Sequence, residues 1–281
     1  MRDTKDIRSL AENVDLIIFN GDTVESKYAD SEASQKSGQP TIEEADSEIK
    51  SWGVRSLYLT GNHDPKINQQ HYLQIGGGEI LITHGDGVFE DIAPWSHNAK
   101  ALREVIKSLL SKKENLDFQS YLQIIKDAEI LAHQKSPNYN PTVWGKIHMF
   151  AKQAWPPTRF IGILKAWSQT PKKAAEMVQR FKVKPKYLVI GHTHKPGIWN
   201  ISGTWIINTG SFFVWPGANC VDISPEGLSY RRVSKLSRRF EVQEEIKRFP
   251  LSESAVKACS QLATGKENKA GVFSPTMPSA L

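Results

Sequence analysis

The sequence predicts an α/β fold split by a helical insertion, and three observations carry this. Short apolar runs rich in β-branched residues each stop at a turn built from Gly, Asp, Asn or His. A long middle stretch then places its apolar residues at helical spacing. After it, strand-length runs separated by turn residues return.

Residues 3–13 read as the end of an amphipathic helix, with Ile7, Leu10 and Ala11 on one face. Val14 to Phe19 is strand-length and ends at Asn20-Gly21-Asp22. Residues 29–40 are small and polar and predict a loop. Thr41-Ile42-Glu43-Glu44 is a capping-box pattern that opens a helix towards Trp52. Ser56 to Thr60 is a second strand, ending at Gly61-Asn62-His63-Asp64, and Glu79 to Thr83 a third, ending at His84-Gly85-Asp86.

From about Trp95 to Arg180 the spacing predicts helices. Leu102, Val105, Ile106 and Leu109 form one stripe, and Tyr121, Leu122, Ile125 and Ala128 another; Trp144, Ile147, Phe150 and Trp155 follow before Pro156-Pro157 breaks the pattern. Lys186 to Ile190 is a strand ending at Gly191-His192-Thr193-His194. Short strands are predicted at 198–201, 204–208, 219–223 and 228–233, with antiparallel spacing. The expected organisation is therefore a catalytic domain over 1–235 with a helical insertion at 94–181. A C-terminal extension covers 236–281, with a Pro-, Ser- and Gly-rich tail from Lys266 expected to be disordered.

Composition narrows the classes. A net charge of +6 favours anionic partners without choosing among them. Cys220 and Cys259 form no CxxC pair, which argues against a thiolate zinc site or a disulfide scaffold. The N-terminus has no apolar signal core, and no 18-residue apolar run occurs, so the protein is expected to be cytoplasmic.

Four strand ends bring Asp22, Asn62, His84 and His192 with His194. In an open α/β sheet, ligand sites form at the carboxyl ends of strands, so these side chains can converge. Oxygen and imidazole donors of this kind suit Zn, Mn or Fe. Each motif alone has a plain reading: Gly-Asp is a common turn, and a single strand-end His is more often structural. The ordered set is what points to a metal. Four of the eight histidines lie in it, whereas His71, His97, His133 and His148 carry no assigned role.

The set Gly21-Asp22, Gly61-Asn62-His63-Asp64, His84-Gly85-Asp86 and Gly191-His192-Thr193-His194 resembles the calcineurin-like metallophosphoesterase superfamily, over residues 14–90 and 186–233. The resemblance implies a four-layer α/β/β/α sandwich and a centre of two divalent metal ions (Mn, Fe or Zn). It implies that Asp22 bridges the ions, that Asn62, His84 and His192 complete one site, and that His194 belongs to the other. A hydroxide held between the metals would attack a phosphoester or pyrophosphate. His63 would protonate the leaving oxygen, and Asp64 would orient it. Neutral His192 as ligand and protonated His63 as acid would then carry opposite charge states. Asn208-Thr209-Gly210-Ser211 resembles the family's late Asn-Pro-Gly-Ser turn.

One departure stands against the pattern. The family opens with a strand ending in Asp-x-His, and no histidine precedes His63 here. The expected sandwich therefore lacks its first strand, leaving open strand edges. Two readings stay open: a chain whose preceding strand belongs to a longer protein, or a homologue with an impaired metal site that acts as a non-catalytic binding scaffold.

The insertion holds 14 Lys/Arg against 6 Asp/Glu over 95–180, and four of the eight tryptophans. One reading is extra fold with the aromatics as core. The other is a basic, aromatic cap for a lipid-linked phosphate, with peripheral contact to the inner face of a membrane. Its position resembles the cap of UDP-2,3-diacylglucosamine hydrolases, although His63 stands where those enzymes have Arg. Basic residues at helical spacing rather than in runs give no strong nucleic-acid signal.

Overall fold

Among the described residues ten strands pair into three sheets. The computed structural model describes residues 4–23, 42–96, 98–113, 115–134, 157–212, 216–236 and 239–265. The predicted loop at 29–40, the stripe from Trp144 to Trp155 and the tail from Lys266 lie outside these residues, as does His97.

The chain opens with a 3-10 helix at Thr4–Ala11, where an α-helix is predicted, and it buries Ile7 and Ala11. Strand β1 (Leu16–Asn20) follows, then helix α1 (Ile42–Ser51) and strand β2 (Arg55–Leu59). A hairpin joins β3 (Tyr72–Ile75) to β4 (Ile80–Thr83). Helices α2 (Ala99–Leu110), α3 (Phe118–Gln134) and α4 (Pro157–Arg180) lie in the insertion. Pro157 opens α4, where a missing N–H costs nothing. Strands β5 (Tyr187–Ile190), β6 (Gly197–Ile201), β7 (Thr204–Asn208), β8 (Ala218–Ser224), β9 (Gly227–Leu236) and β10 (Arg239–Phe249) lead to helix α5 (Glu253–Thr264).

The five-stranded sheet has the order β3-β4-β5-β7-β6, with β4, β5 and β7 parallel. Parallel neighbours need a crossover. The insertion supplies the one from β4 to β5, which is the physical reason for its position. Both central strands are buried throughout. Their side chains alternate between faces. Leu81, Leu188 and Ile190 meet the helices, through Ile106, Leu122, Ile125, Ala174 and Val178. Ile80, Ile82, Tyr187 and Val189 meet Leu59, Leu228, Tyr230 and Phe249 from the other two sheets.

Those sheets are the parallel pair β1-β2 and the antiparallel β10-β9-β8. The 3-10 helix and α1 cover them, through Ile7 with Ala218, Val233 and Phe240, and through Ala11 with Ile49 and Val54. The layers are thus helices, sheet, sheets, helices: a mixed α/β sandwich. Among the described residues β1 pairs along one edge only, with β2, and every one of its residues is half-buried.

Three elements were not predicted. Strand β3 is one. Strand β10 pairs with β9 across the boundary drawn at 235, so Arg239–Phe249 completes that sheet. Helix α5 is the third. Ser252 caps its start by accepting from the Ala255 N–H, and Gly265 ends it in the left-handed region. Among the described residues helices α2, α3 and α4 pack on one face of the five-stranded sheet, and α4 also reaches the strand ends through Ile163 and Trp167. Among the described residues no helix is long and apolar enough to cross a membrane.

Candidate metal centre

Strands β1, β2, β4 and β5 end on one side of the molecule and deliver Asp22, Asn62, His84 and His192. The His84 ring nitrogen Nε2 lies 3.3 Å from Asp22 Oδ2 and 3.2 Å from Asn62 Oδ1. His192 Nδ1 lies 2.9 Å from Asn62 Oδ1 and 3.3 Å from His84 Nε2. Among the described residues no three His, Cys, Asp and Glu side chains alone form a metal cage. The amide oxygen of Asn62 makes these donors one cluster.

Each ring is turned by the backbone. His84 Nδ1 meets the Asn20 carbonyl at 2.8 Å, and His192 Nε2 meets the Ile92 carbonyl at 2.8 Å. A carbonyl only accepts, so both of these nitrogens carry their hydrogens. When the rings are neutral, the lone pairs of His84 Nε2 and His192 Nδ1 therefore face each other, beside an amide oxygen and a carboxylate oxygen. Four acceptors at this distance repel unless a cation sits among them. Donors bound to one ion at 2.0–2.2 Å lie roughly 3 Å apart, which these spacings match. The residues present thus fit a divalent metal ion. For a second ion the described residues offer Asp22 and His194, which line the same cleft.

Electrostatics says the same. Burial opposes a charge on His84, but the Asp22 carboxylate outweighs it and raises the imidazole to about 10. Burial likewise opposes the charge of Asp22, and His84 and His63 hold its carboxyl well below the usual range. Burial, joined by repulsion from His84, lowers His192 to about 4. Burial also lowers His194 to about 4. A protonated His84 thus faces the acceptors of Asp22 and Asn62, while His192 and His194 are neutral.

The backbone is shaped for this. Asp22 and His194 have φ of 53° and 62°, and the β-branched Ile92 has φ of 58°. Such a conformation costs on the order of 1–3 kcal/mol, and at Ile92 it goes with a carbonyl aimed at His192. A Cβ on Gly61 would come within 2.4 Å of Asp22 Oδ1, so only glycine lets the two loops approach.

Asp64 is fully buried, and its carboxylate accepts from the backbone N–H groups of Gly61, Asp22 and Thr23. These bonds hold the loop that carries His63. The His63 N–H donates to Asp22 Oδ1 at 2.8 Å, and its ring lines the cleft, with Nε2 4.0 Å from Asp22 Oδ2. Asn208 lies nearby, as its turn motif implies. It donates to Thr193 Oγ1 at 2.9 Å and fixes the loop between the two late histidines.

Other functional neighbours were not legible as such. The cleft has about 230 Å³ and is walled by Trp95, Ile163, Trp167 and Pro216. Trp167 Nε1 donates to the Thr193 carbonyl, tying α4 to the loop between His192 and His194. Their only advance signal was the concentration of tryptophan in the insertion. His71, without a predicted role, forms a buried pair with Asp86 at 3.0 Å.

No curated protein matches the chain. The family model described as calcineurin-like phosphoesterase matches residues 2–196. That span holds all four strand ends of the cluster, from Asp22 to His194, and the chain belongs to the calcineurin-like phosphoesterase family.

Proposed function

We propose that the protein is a metal-dependent hydrolase of phosphoester or pyrophosphate bonds, with the cluster of Asp22, Asn62, His84 and His192 as its centre. One observation carries this reading: single side-chain atoms of Asp22, Asn62, His84 and His192 are linked by contacts of 2.9–3.3 Å, with both imidazoles turned by backbone carbonyls. Asp22, Asn62, His84 and His192 would hold one ion, and Asp22 with His194 a second. When bound, a divalent ion there supplies Lewis acidity towards phosphoryl oxygens and lowers the pKa of water. Asp22 would contribute to both ions, and it also anchors the His63 backbone. His63, half-exposed in the cleft, gives a proton to the leaving oxygen. Trp95, Trp167 and Ile163 keep bulk water from one side of the reacting group. The family membership supports the reaction class. The bond cleaved, the metal and any lipid-linked substrate or membrane contact through the basic insertion belong to the proposal.

A chromogenic phosphodiester assayed with Mn, Fe or Zn tests it. Turnover that EDTA removes and Asn62→Ala abolishes is expected. A second reading, a binding module without turnover, is favoured by the two donors, Asp22 and His194, that the described residues offer for a second ion. It becomes the better account if calorimetric titration shows that Mn binds yet no phosphoester is hydrolysed.

A further inference from the structure

The segment between β4 and α2 meets His192 twice. The Ile92 carbonyl accepts from the ring nitrogen Nε2 at 2.8 Å, and the Trp95 ring lies against the imidazole with centroids 5.6 Å apart. The backbone is strained at this point. The Ala93 N–H donates to the Asp91 carbonyl at 2.6 Å, across Ile92 with its φ of 58°. A three-residue turn with a positive central φ is the rare, strained form of the γ-turn. A β-branched residue suits it badly, so the turn persists only because its surroundings impose it.

Two anchors do so among the described residues. The Ile92 side chain is buried in the core beneath the insertion helices. Asp91 is buried too, and its carboxylate pairs with the Arg103 guanidinium of α2. The first anchor fixes a side chain, and the second reaches the carbonyl itself. The peptide group between Ile92 and Ala93 carries both bonds: Asp91 holds its N–H, and its carbonyl holds His192. A buried carboxylate needs a partner to stay charged. Without Arg103, Asp91 would turn to water or take a proton, and either change loosens that peptide group.

We propose that Asp91 and Arg103 are positioning residues for His192: their ion pair locks the turn at Ile92, and the carbonyl of that turn keeps the ring with Nδ1 facing Asn62 and His84. The inference deepens the metal-dependent reading above and rests on it for the ion that His192 would bind. It makes helix α2 a support of the centre.

The test uses the full chain and three variants: Arg103→Met, Arg103→Lys, which keeps the charge, and Ile106→Val. The Arg103 side chain is 46% exposed, so its replacement leaves the core intact. Ile106→Val loosens the buried side of the same helix and leaves the ion pair in place. Calorimetric titration of Arg103→Met with Mn should show affinity lowered about tenfold or more, the usual effect of losing a group that orients a metal-binding imidazole. Arg103→Lys should recover most of this, and Ile106→Val should bind as the parent does. In the metal-free chain, heteronuclear NMR should show a sharp, slowly exchanging His192 Nε2–H in the parent and a broadened one in Arg103→Met. Affinity in Arg103→Met equal to the parent's, or no lower than in Ile106→Val, overturns the proposal and leaves the metal reading intact. Lost affinity with an unchanged ring signal also overturns it, because the ring is then held without the pair. If the parent takes up no Mn, the metal reading falls and the ring signal decides alone: unchanged in Arg103→Met it overturns the proposal, and broadened it upholds it.

Discussion

The carboxylate of Asp64 holds the backbone of Asp22. Its Oδ1 accepts from the Asp22 N–H at 3.0 Å and from the Gly61 N–H at 2.8 Å, while Oδ2 accepts from Thr23 at 2.6 Å. One buried side chain thereby ties the end of β1 to the end of β2. Asp64→Ala leaves three N–H groups without their charged acceptor, so a loss of about 2–4 kcal/mol is expected in urea unfolding. Metal affinity should fall with it, because Asp22 loses its placement. Asp64→Asn should lie between the variant and the parent.

Gly61→Ala tests the approach of the same two loops. The added Cβ meets Asp22 N and Oδ1 at 2.4 Å. Calorimetric titration with Mn should show binding lost or weakened by at least tenfold, while circular dichroism stays that of a folded protein.

His63→Gln keeps the backbone contact to Asp22 but has no transferable proton. If His63 is the acid, kcat should fall about 10²- to 10⁴-fold for a poor leaving group, and much less for p-nitrophenolate, which needs no proton. Metal content measured by atomic absorption should be that of the parent.

Metal binding should be linked to pH through His84. Its imidazole holds a proton up to about 10 in the metal-free protein, and an ion must displace that proton. Affinity should therefore rise with pH between 6.5 and 8.5, by close to tenfold per unit. Titrations in buffers of different ionisation enthalpy should report about one proton released.

Asp86 gives a pH dependence of stability with the opposite origin. Burial opposes its charge, but His71 at 3.0 Å outweighs this and lowers its pKa. A depressed carboxylate contributes stability above its unfolded value, about 3.9, and loses it as pH falls through the lower folded value. Tm should therefore drop on going from pH 7 to pH 3, and in Asp86→Asn the drop should be smaller, from a lower starting point.

The elements that the sequence disclosed are those with local signals. Strand runs of β-branched residues and the glycine turns each act within a few residues. The elements it hid lack such signals. In β10 the alternation of Phe240 and Val242 is broken by register shifts before Glu245 and Lys247, so its charges hide the strand. Four-residue β3 follows a polar stretch and exists because β4 offers it an edge. Helix α5 carries a legible cap at Ser252, yet its fate depends on packing Ala258 into the core beside Phe249.

For the site, the sequence alone determined which residue types stand at the strand ends: a carboxylate, an amide and three imidazoles, in an order that names the family. Side-chain chemistry and strand-turn grammar are local, so they can be read along the chain. Tertiary structure decided which nitrogen of each ring faces the cluster, because the deciding carbonyls belong to distant Asn20 and Ile92. It likewise decided that Asp64 binds the backbone of another strand end, that His71 finds Asp86, and that Trp167 reaches the Thr193 carbonyl. Those contacts depend on the layering of sheets and helices, whose geometry is set by the packing of the whole core and by no single segment.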